Sequence, residues 1–177
     1  KYDIEIEQNI TIHLGYANTK IFKCTESGEL FAAPSHIKSF CHPITQQPLK
    51  LIRHISFVDC PGHETYMATM ISGSAVMDAC ILVISANEQV PQQQTKEHLL
   101  AISNTTVKNI LILQNKLDLV SVIKARENLE QINNFLINTI AEQSIIIPTA
   151  IIKKYNIYNI LKYLTYNIDN LNRKLNV

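Results

Sequence analysis

Glycine is scarce in this sequence. Only four of the 177 residues are glycines, and none of them is followed by Lys-Ser or Lys-Thr. The chain therefore lacks the G-x-x-x-x-G-K-[ST] string, a loop whose backbone N–H groups cradle phosphates. No apolar run approaches the length of a membrane span, and no signal-peptide pattern opens the chain. We therefore expect a chain that does not span a membrane.

An excess of charge of one sign is also missing. The chain has 16 basic and 15 acidic residues and a net charge of +1, which gives no overall electrostatic signal for nucleic acid. Its four cysteines are widely spaced, and Cys60 and Cys80 fall in a predicted loop and a predicted buried strand rather than in a disulfide framework. We therefore expect a reducing, cytoplasmic environment.

What the chain does contain is enough apolar material for one globular domain. Hydrophobic residues make up 46% of it, which excludes the disordered class. Residues 23–50 hold Pro34, Pro43 and Pro48, and prolines at such intervals interrupt regular structure. We expect a single domain over residues 1–177 with an irregular insertion at about residues 23–50.

Residues 53–87 form the stretch around which the chain is organised. Apolar residues lead into Asp59, a loop with Gly62 and His63 follows, and a helix-period segment precedes the apolar run 79–84. A run of that kind is typical of a strand buried on both faces. In an open α/β sheet, ligands bind beyond the carboxyl ends of the strands, and Asp59 stands at such an end.

The residues of this loop suit phosphate chemistry. A lone carboxylate at Asp59 can hold hydrated Mg²⁺, which takes few carboxylates together with phosphates. The backbone N–H of Gly62 can approach a phosphate closely, and His63 can orient or deprotonate a water molecule. The alternative is structural: an aspartate that closes a strand, a turn glycine and a surface histidine.

The second half of the chain alternates predicted strands and helices. Apolar runs predict buried strands at residues 110–113 and 145–147, and stripes of apolar residues predict helices over about 122–142 and 157–171. Thr95 is a candidate N-cap for a further helix. Strand–helix alternation predicts parallel pairing through right-handed crossovers.

Asn115, Lys116 and Asp118 follow the strand at 110–113 and form an N-K-x-D string. A carboxylate at Asp118 can accept hydrogen bonds from N1–H and the 2-amino group of guanine, donors that adenine does not offer in that arrangement. Asn115 can bond the base edge and tie adjacent loops, and the stem of Lys116 can lie along the purine. The N–H of Ala150 can donate to the guanine carbonyl oxygen. The alternative is a polar turn that caps a helix.

Two weaker candidates are metal ligands. Thr11 opens a predicted strand, where its hydroxyl could join a Mg²⁺ shell, or it is an ordinary β-branched strand residue. Cys24, His36, Cys41 and His42 are zinc-type side chains, but they lack the paired C-x₂-C spacing of a strong site. We do not expect zinc.

Together, these strings resemble the motifs of translational GTPases. The finer resemblance is to the gamma subunits of archaeal and eukaryotic translation initiation factor 2. It is carried by NITIHLGYAN at residues 9–18, RHISFVDCPGH at 53–63 and ILQNKLD at 112–118. It runs through almost the whole chain. The resemblance implies a Ras-like α/β fold, with a mostly parallel sheet flanked by helices, whose first strand and phosphate loop are missing here.

The resemblance also implies a role for each matching residue. Thr11 would meet Mg²⁺ and the γ-phosphate, and Asp59 would hold Mg²⁺ through water. Gly62 would give its N–H to the γ-phosphate, and His63 would position the attacking water. The guanine-side residues would be Asn115, Lys116 and Asp118, with Thr149, Ala150 and Ile151 behind the base. GTP or GDP and Mg²⁺ would be the cofactors.

The activity that the resemblance implies is GTP-dependent delivery of initiator methionyl-tRNA to the small ribosomal subunit, with the alpha and beta subunits of the factor as partners. The missing phosphate loop predicts that this chain binds GTP poorly and hydrolyses it negligibly. Two alternatives stay open: a non-catalytic partner-binding module, and another translational GTPase such as the selenocysteine-specific elongation factor.

The chain does not begin with Met, so we expect a fragment or truncated gene model rather than an evolved loss of the loop. The missing strand would lie mid-sheet, between the strand that ends at Asp59 and the strand before Asn87. We therefore expect the sheet to be interrupted or closed up there, unless residues 1–7 fill the position with a strand of their own.

Overall fold

The computed structural model describes residues 14–60 and 77–168. Its strands are β1 (Gly15–Lys23), β2 (Leu30–Pro34), β3 (Lys50–Asp59), β4 (Ala79–Ser85), β5 (Asn109–Asn115) and β6 (Ile145–Pro148). Its helices are α1 (Gln93–Ser103), α2 (Val122–Leu136) and α3 (Ile157–Tyr166). Across these two ranges, no helix is both long enough and apolar enough to cross a membrane.

Strands β4, β5 and β6 form a parallel sheet with β5 in the middle. The apolar run of β5 is buried on both faces, as its composition predicts. Ile110 and Ile112 pack on the face that α1 and α2 cover, and Leu111 and Leu113 pack on the opposite face against α3. The strand–helix alternation thus predicts the pairing of this half correctly.

The first three strands instead form an antiparallel sheet in the order β2-β1-β3. Strand β1 has nine residues, and β2 lies inside the segment for which the sequence predicts irregular structure. The turn between them closes through hydrogen bonds from the N–H of Cys24 to the carbonyl oxygen of Glu29 and from the N–H of Gly28 to that of Cys24. Gly28 has φ +73°, a left-handed conformation that glycine adopts without strain.

Between β3 and β4, the described residues form no hydrogen-bonded ladder, so the sheet is divided into two three-stranded parts. The predicted interruption at the position of a missing central strand stays a prediction. The alternative, a strand from residues 1–7, lies outside the described residues. The predicted helix of residues 64–76 also lies outside them.

Helix α3 joins the two sheets. Leu164 packs with Ile21 of β1 and Leu30 of β2, and the same cluster includes Ile55 of β3 and Ile81 of β4. The guanidinium of Arg53 also donates hydrogen bonds to the carbonyl oxygens of Thr165 and Ile168, at the carboxyl end of the helix. Burial of apolar surface against both sheets therefore holds this helix where the strands separate.

The helix boundaries differ from the predicted ones. α2 begins after Ser121, whose hydroxyl accepts the N–H of Lys124 at 3.3 Å, but it ends at Leu136 rather than near residue 142. The chain leaves the helical conformation at Ile137, which has ψ 134°, and Asn138 follows with φ 59°. The described part of α3 ends at Tyr166. α1 begins before Thr95, because the first helical bond already runs from the N–H of Lys96 to the carbonyl of Gln92.

Candidate functional site

The N-K-x-D string forms a tight turn at the carboxyl end of β5. Asn115 is the last residue of the strand, Lys116 has φ 62°, and Leu117–Leu119 form one 3₁₀ turn. The left-handed Lys116 reverses the chain between strand and turn, so that the exposed side chain of Asp118 follows directly beyond the strand end. Local backbone geometry thus presents an acidic residue at the edge of the sheet where α/β proteins bind ligands.

The loop after β6 lies against this turn. The N–H of Thr149 donates to the carbonyl oxygen of Gln114 at 2.7 Å, and the N–H of Leu117 donates back to the carbonyl oxygen of Thr149 at 3.1 Å. Since β5 and β6 are parallel neighbours, their carboxyl ends meet at one edge. Two reciprocal backbone bonds therefore join the two predicted guanine loops.

The side chain of Asn115 strengthens this junction. Its Oδ1 atom accepts the N–H of Ile151 at 3.2 Å and the hydroxyl of Thr149 at 3.4 Å. Thr149 is fully buried and Ala150 is 4% exposed, so the backbone of this loop is held in one position. The structure therefore brings together Asn115, Thr149, Ala150 and Ile151, with Lys116 and Asp118 on the adjacent turn.

The magnesium-side residues are described only in part. Asp59 is the last residue of β3 and lies opposite Gly15 in the ladder. The next residue, Cys60, packs against the cluster that contains Leu82 and Ile84 of β4. Within the described ranges, no hydrogen bond or ion pair joins Asp59 to the guanine-side residues. Thr11, Gly62 and His63 lie outside the residues that the structure describes.

A cavity of about 570 Å³ lies beside the N-K-x-D turn. Its walls come from residues 82–85 of β4, from residues 88, 89, 92–95 and 98 before and within α1, and from Asn115 and Lys116. Asp118 and residues 149–151 do not line it. The cavity has the volume of a small-molecule site, and it adjoins the turn at Asn115 and Lys116.

The zinc-type side chains do not form a metal site. Cys24 is buried and Cys41 is exposed, while Nδ1 of His42 accepts the N–H groups of Thr45 at 3.1 Å and Ile44 at 3.3 Å. In the part of the chain that is described, no group of three or more His, Cys, Asp or Glu side chains could hold a metal ion. Here the segment is organised by hydrogen bonds and aromatic packing.

Two buried carboxamides behind the turn are not singled out by the sequence analysis. Gln114 is 1% exposed and Asn128 is 3% exposed, and they hydrogen-bond to each other at 2.9 Å. A signal was present in the sequence: a glutamine continues the apolar run of β5, and an asparagine falls on the apolar stripe of α2. Buried polar side chains of this kind are hydrogen-bonded, and a hydrogen-bonded pair makes the core around it more rigid.

Comparison with known proteins agrees with this fold. Residues 1–170 match the family described as the elongation factor Tu GTP binding domain. The chain therefore belongs to this family of GTP-binding domains. The predicted α/β fold of a translational GTPase is confirmed.

Within the family, the chain is similar to the gamma subunit of translation initiation factor 2, as its motifs predict. It is 48% identical over 176 residues to eukaryotic translation initiation factor 2 subunit gamma of Schizosaccharomyces pombe. It is 46% identical over 176 residues to subunit 3 of the Drosophila melanogaster factor. Each alignment covers 95% of this chain but only 39% and 37% of those relatives. The chain thus spans well under half of their length.

Solved structures agree in fold. A bacterial selenocysteine-specific elongation factor matches with a TM-score of 0.69 and 22% identity, over 97% of this chain and 25% of that protein. Elongation factor SelB of Methanococcus maripaludis, solved with the GTP analogue GppNHp, matches with a TM-score of 0.64 and 19% identity. That match covers 91% of this chain and 30% of SelB. At these identities the likeness shows the fold and not the function.

Proposed function

We propose that this chain is the guanine-recognising G domain of a gamma-type subunit of translation initiation factor 2. The parent protein would deliver initiator methionyl-tRNA to the small ribosomal subunit in a GTP-dependent manner, together with the alpha and beta subunits, in the cytoplasm. The observation that carries the proposal is the bonding of Asn115 to Ile151, which fixes two loops around an exposed Asp118.

The arrangement can distinguish guanine from other bases. The Asp118 carboxylate would accept both N1–H and the 2-amino group, while the N–H of Ala150 would donate to the carbonyl oxygen at position 6. Lys116 is exposed beside the turn, where its aliphatic stem can cover the purine. A base without the two donors would leave the carboxylate unpaired, and such losses give large discrimination.

The phosphate side would be served by residues before and after β3. Asp59 is exposed at a strand end, and a hard oxygen ligand of this kind suits Mg²⁺ held through water. By resemblance, Thr11 would join the Mg²⁺ shell, Gly62 would bind the γ-phosphate and His63 would position the attacking water. When bound, GTP with Mg²⁺ would supply the γ-phosphoryl group, which passes to water as GDP leaves.

The sequence has no G-x-x-x-x-G-K-[ST] loop, which carries much of the phosphate affinity in this class. We therefore expect this 177-residue chain to bind guanine nucleotides weakly, chiefly through the base, and to hydrolyse GTP negligibly. A non-catalytic partner-binding module is the second candidate. The selenocysteine-specific alternative is supported by fold likeness only.

The test is titration of a fluorescent guanine nucleotide against the chain and its Asp118→Asn variant. We expect the variant to bind at least about tenfold more weakly, because an amide NH₂ would face guanine donors. Glu130→Gln on α2 is the matched control, since it removes one negative charge from an exposed side chain away from the turn. Equal binding by the chain and the Asp118 variant would refute guanine recognition.

A further inference from the structure

The buried carboxamide pair of Gln114 and Asn128 connects helix α2 to the base of the candidate site. Gln114 immediately precedes Asn115 at the end of β5. Its Nε2 atom donates to the carbonyl oxygen of Ala125 at 2.7 Å and to Oδ1 of Asn128 at 2.9 Å. Both donor hydrogens are used within α2, so the side chain fixes the strand end relative to the helix.

Asn128 extends the connection to a third segment. Its Nδ2 atom donates to the carbonyl oxygen of Ser85 at 3.3 Å, at the end of β4, and to that of Glu88 at 2.9 Å, in the loop that follows. One asparagine thus accepts from the guanine-side strand and donates to the neighbouring loop. Asn128 joins these three elements through hydrogen bonds of its side chain.

The backbone of Gln114 completes the junction. Its carbonyl oxygen accepts the N–H and the hydroxyl of Thr149, from the loop after β6. The N–H of Ala86 donates to the carbonyl oxygen of Asn115 at 2.8 Å. The three segments that follow β4, β5 and β6 are therefore bonded to one another around Gln114 and Asn115.

Apolar side chains at these two positions would fill the core without needing hydrogen bonds. A hydrogen-bonded polar pair instead specifies one relative placement of the groups that it joins. We propose that Asn128 is a positioning residue for base recognition: through Gln114, it holds Asn115 and Asp118 where a guanine base can be bound. This inference rests on the proposed function, and Asn128 itself does not touch the base.

The first variant is Asn128→Ala, and the matched control is Gln131→Ala. Gln131 lies on the same helix and is exposed, and its Oε1 atom accepts the N–H of Val90, in the same loop after β4, at 3.1 Å. Both variants remove one carboxamide and a hydrogen bond between α2 and that loop. Only Asn128→Ala also removes the bond to Ser85 and the bond that Gln114 donates to Asn128, while the bond from Gln114 to the carbonyl oxygen of Ala125 stays.

Two measurements on the full 177-residue chain separate positioning from general stability. Amide hydrogen exchange reports the inter-segment bonds donated by Ala86 and Thr149, with Ile112 inside the β4–β5–β6 sheet as the internal reference. Fluorescent guanine nucleotide titration reports base binding. For Asn128→Ala we expect about tenfold faster exchange at Ala86 and Thr149, unchanged exchange at Ile112 and about tenfold weaker binding. Gln131→Ala should change neither measurement by more than about twofold.

The double variant Gln114→Met with Asn128→Leu is used if Asn128→Ala does not fold. Replacing both partners of a buried hydrogen bond by apolar groups of similar shape keeps the core filled, so the chain should fold while the tie to Ser85 and Glu88 is lost. It is expected to show the same weakened binding and faster loop exchange. Wild-type exchange and binding in this double variant would overturn the inference.

Failure of the inference and failure of the proposed function give different results. If the wild-type chain binds guanine in an Asp118-dependent way and Asn128→Ala binds equally well, the positioning role is wrong and the function stands. If the wild-type chain does not recognise guanine, the proposed function is wrong. The exchange at Ala86 and Thr149 then decides whether Asn128 holds the loops, and unchanged exchange would refute that role.

Discussion

The side chain of Asn115 accepts the N–H of Ile151 at 3.2 Å, across the gap between two loops that are 36 residues apart in sequence. The same oxygen accepts the Thr149 hydroxyl. One side chain at the end of β5 thereby fixes the loop that follows β6. Both bonds are donated to Asn115, so their persistence depends on an acceptor at this position and not on the NH₂ group.

A pair of substitutions at Asn115 tests this relationship. Asn115→Asp keeps an acceptor oxygen and should leave amide exchange at Ile151 within about twofold of wild type, whereas Asn115→Ala should accelerate it about tenfold. Hydrogen exchange followed by NMR measures both. Equal acceleration in the two variants would show that the Asn115 oxygen is not what holds the loop.

The second prediction concerns Arg53, which joins β3 to the carboxyl end of α3. Its Nε and Nη2 atoms donate to the carbonyl oxygen of Thr165 at 3.1 and 2.8 Å, and Nη2 also donates to that of Ile168. Arg53→Met removes a cation from helix carbonyls, and we expect a loss of about 1–3 kcal/mol in the free energy of unfolding in urea. Arg126→Met, at an exposed position of α2, is the control and should cost less than about 0.5 kcal/mol. A loss at Arg53 no larger than that of the control would contradict the predicted role.

The third prediction concerns pH. Burial raises the pKa of the Cys80 thiol from 9.0 to about 11, and the nearby Cys60 adds to the effect. The folded state therefore favours the protonated thiol, and this contribution is present below about pH 9 and is lost as the pH rises towards 11. Between pH 8.5 and pH 10.5, the free energy of unfolding of the wild-type chain should therefore fall by about 1–2 kcal/mol more than that of Cys80→Val.

Urea unfolding at the two pH values, in the presence of a reductant, measures this difference. Cys41→Val is the control because Cys41 is exposed. Its pH dependence should follow that of wild type. If Cys80→Val also follows wild type, the thiol at position 80 does not titrate as its burial indicates.

The fourth prediction concerns the core beneath the site. Ile132 of α2 is fully buried, in the cluster that joins α1 and α2 to β4 and β5. Ile132→Ala should lower the free energy of unfolding by about 2–5 kcal/mol through lost apolar contact and the cavity left behind. Ile152→Ala, at a residue that is 87% exposed, should change it by less than about 0.5 kcal/mol. Thermal or urea unfolding measures both, and similar losses would mean that α2 does not pack as described.

Much of the parallel half of the fold could be predicted from the sequence. The apolar runs of β4, β5 and β6 are strands, and the helical stripes between them form helices on the sheet, because periodicity reports which faces avoid water. Only β5 is buried along most of its length. Burial on both faces is wrong for β4, because Val83 is 52% exposed and no described strand pairs with the other edge of β4. The N-K-x-D string after β5 also predicted a turn at the strand end. The short strand β2 was not predicted, since its five residues carry little periodic signal and its pairing depends on β1.

The sequence by itself determined the class of protein and the candidate base-reading residues, because those depend on residue type and local spacing. Only the tertiary structure decided how the loops are joined. The bond between Asn115 and Ile151, the Gln114–Asn128 pair and the tie of Arg53 to α3 link positions far apart in the chain. Such contacts exist only once parallel strands bring distant loops to one edge and burial removes the water that would otherwise satisfy these groups.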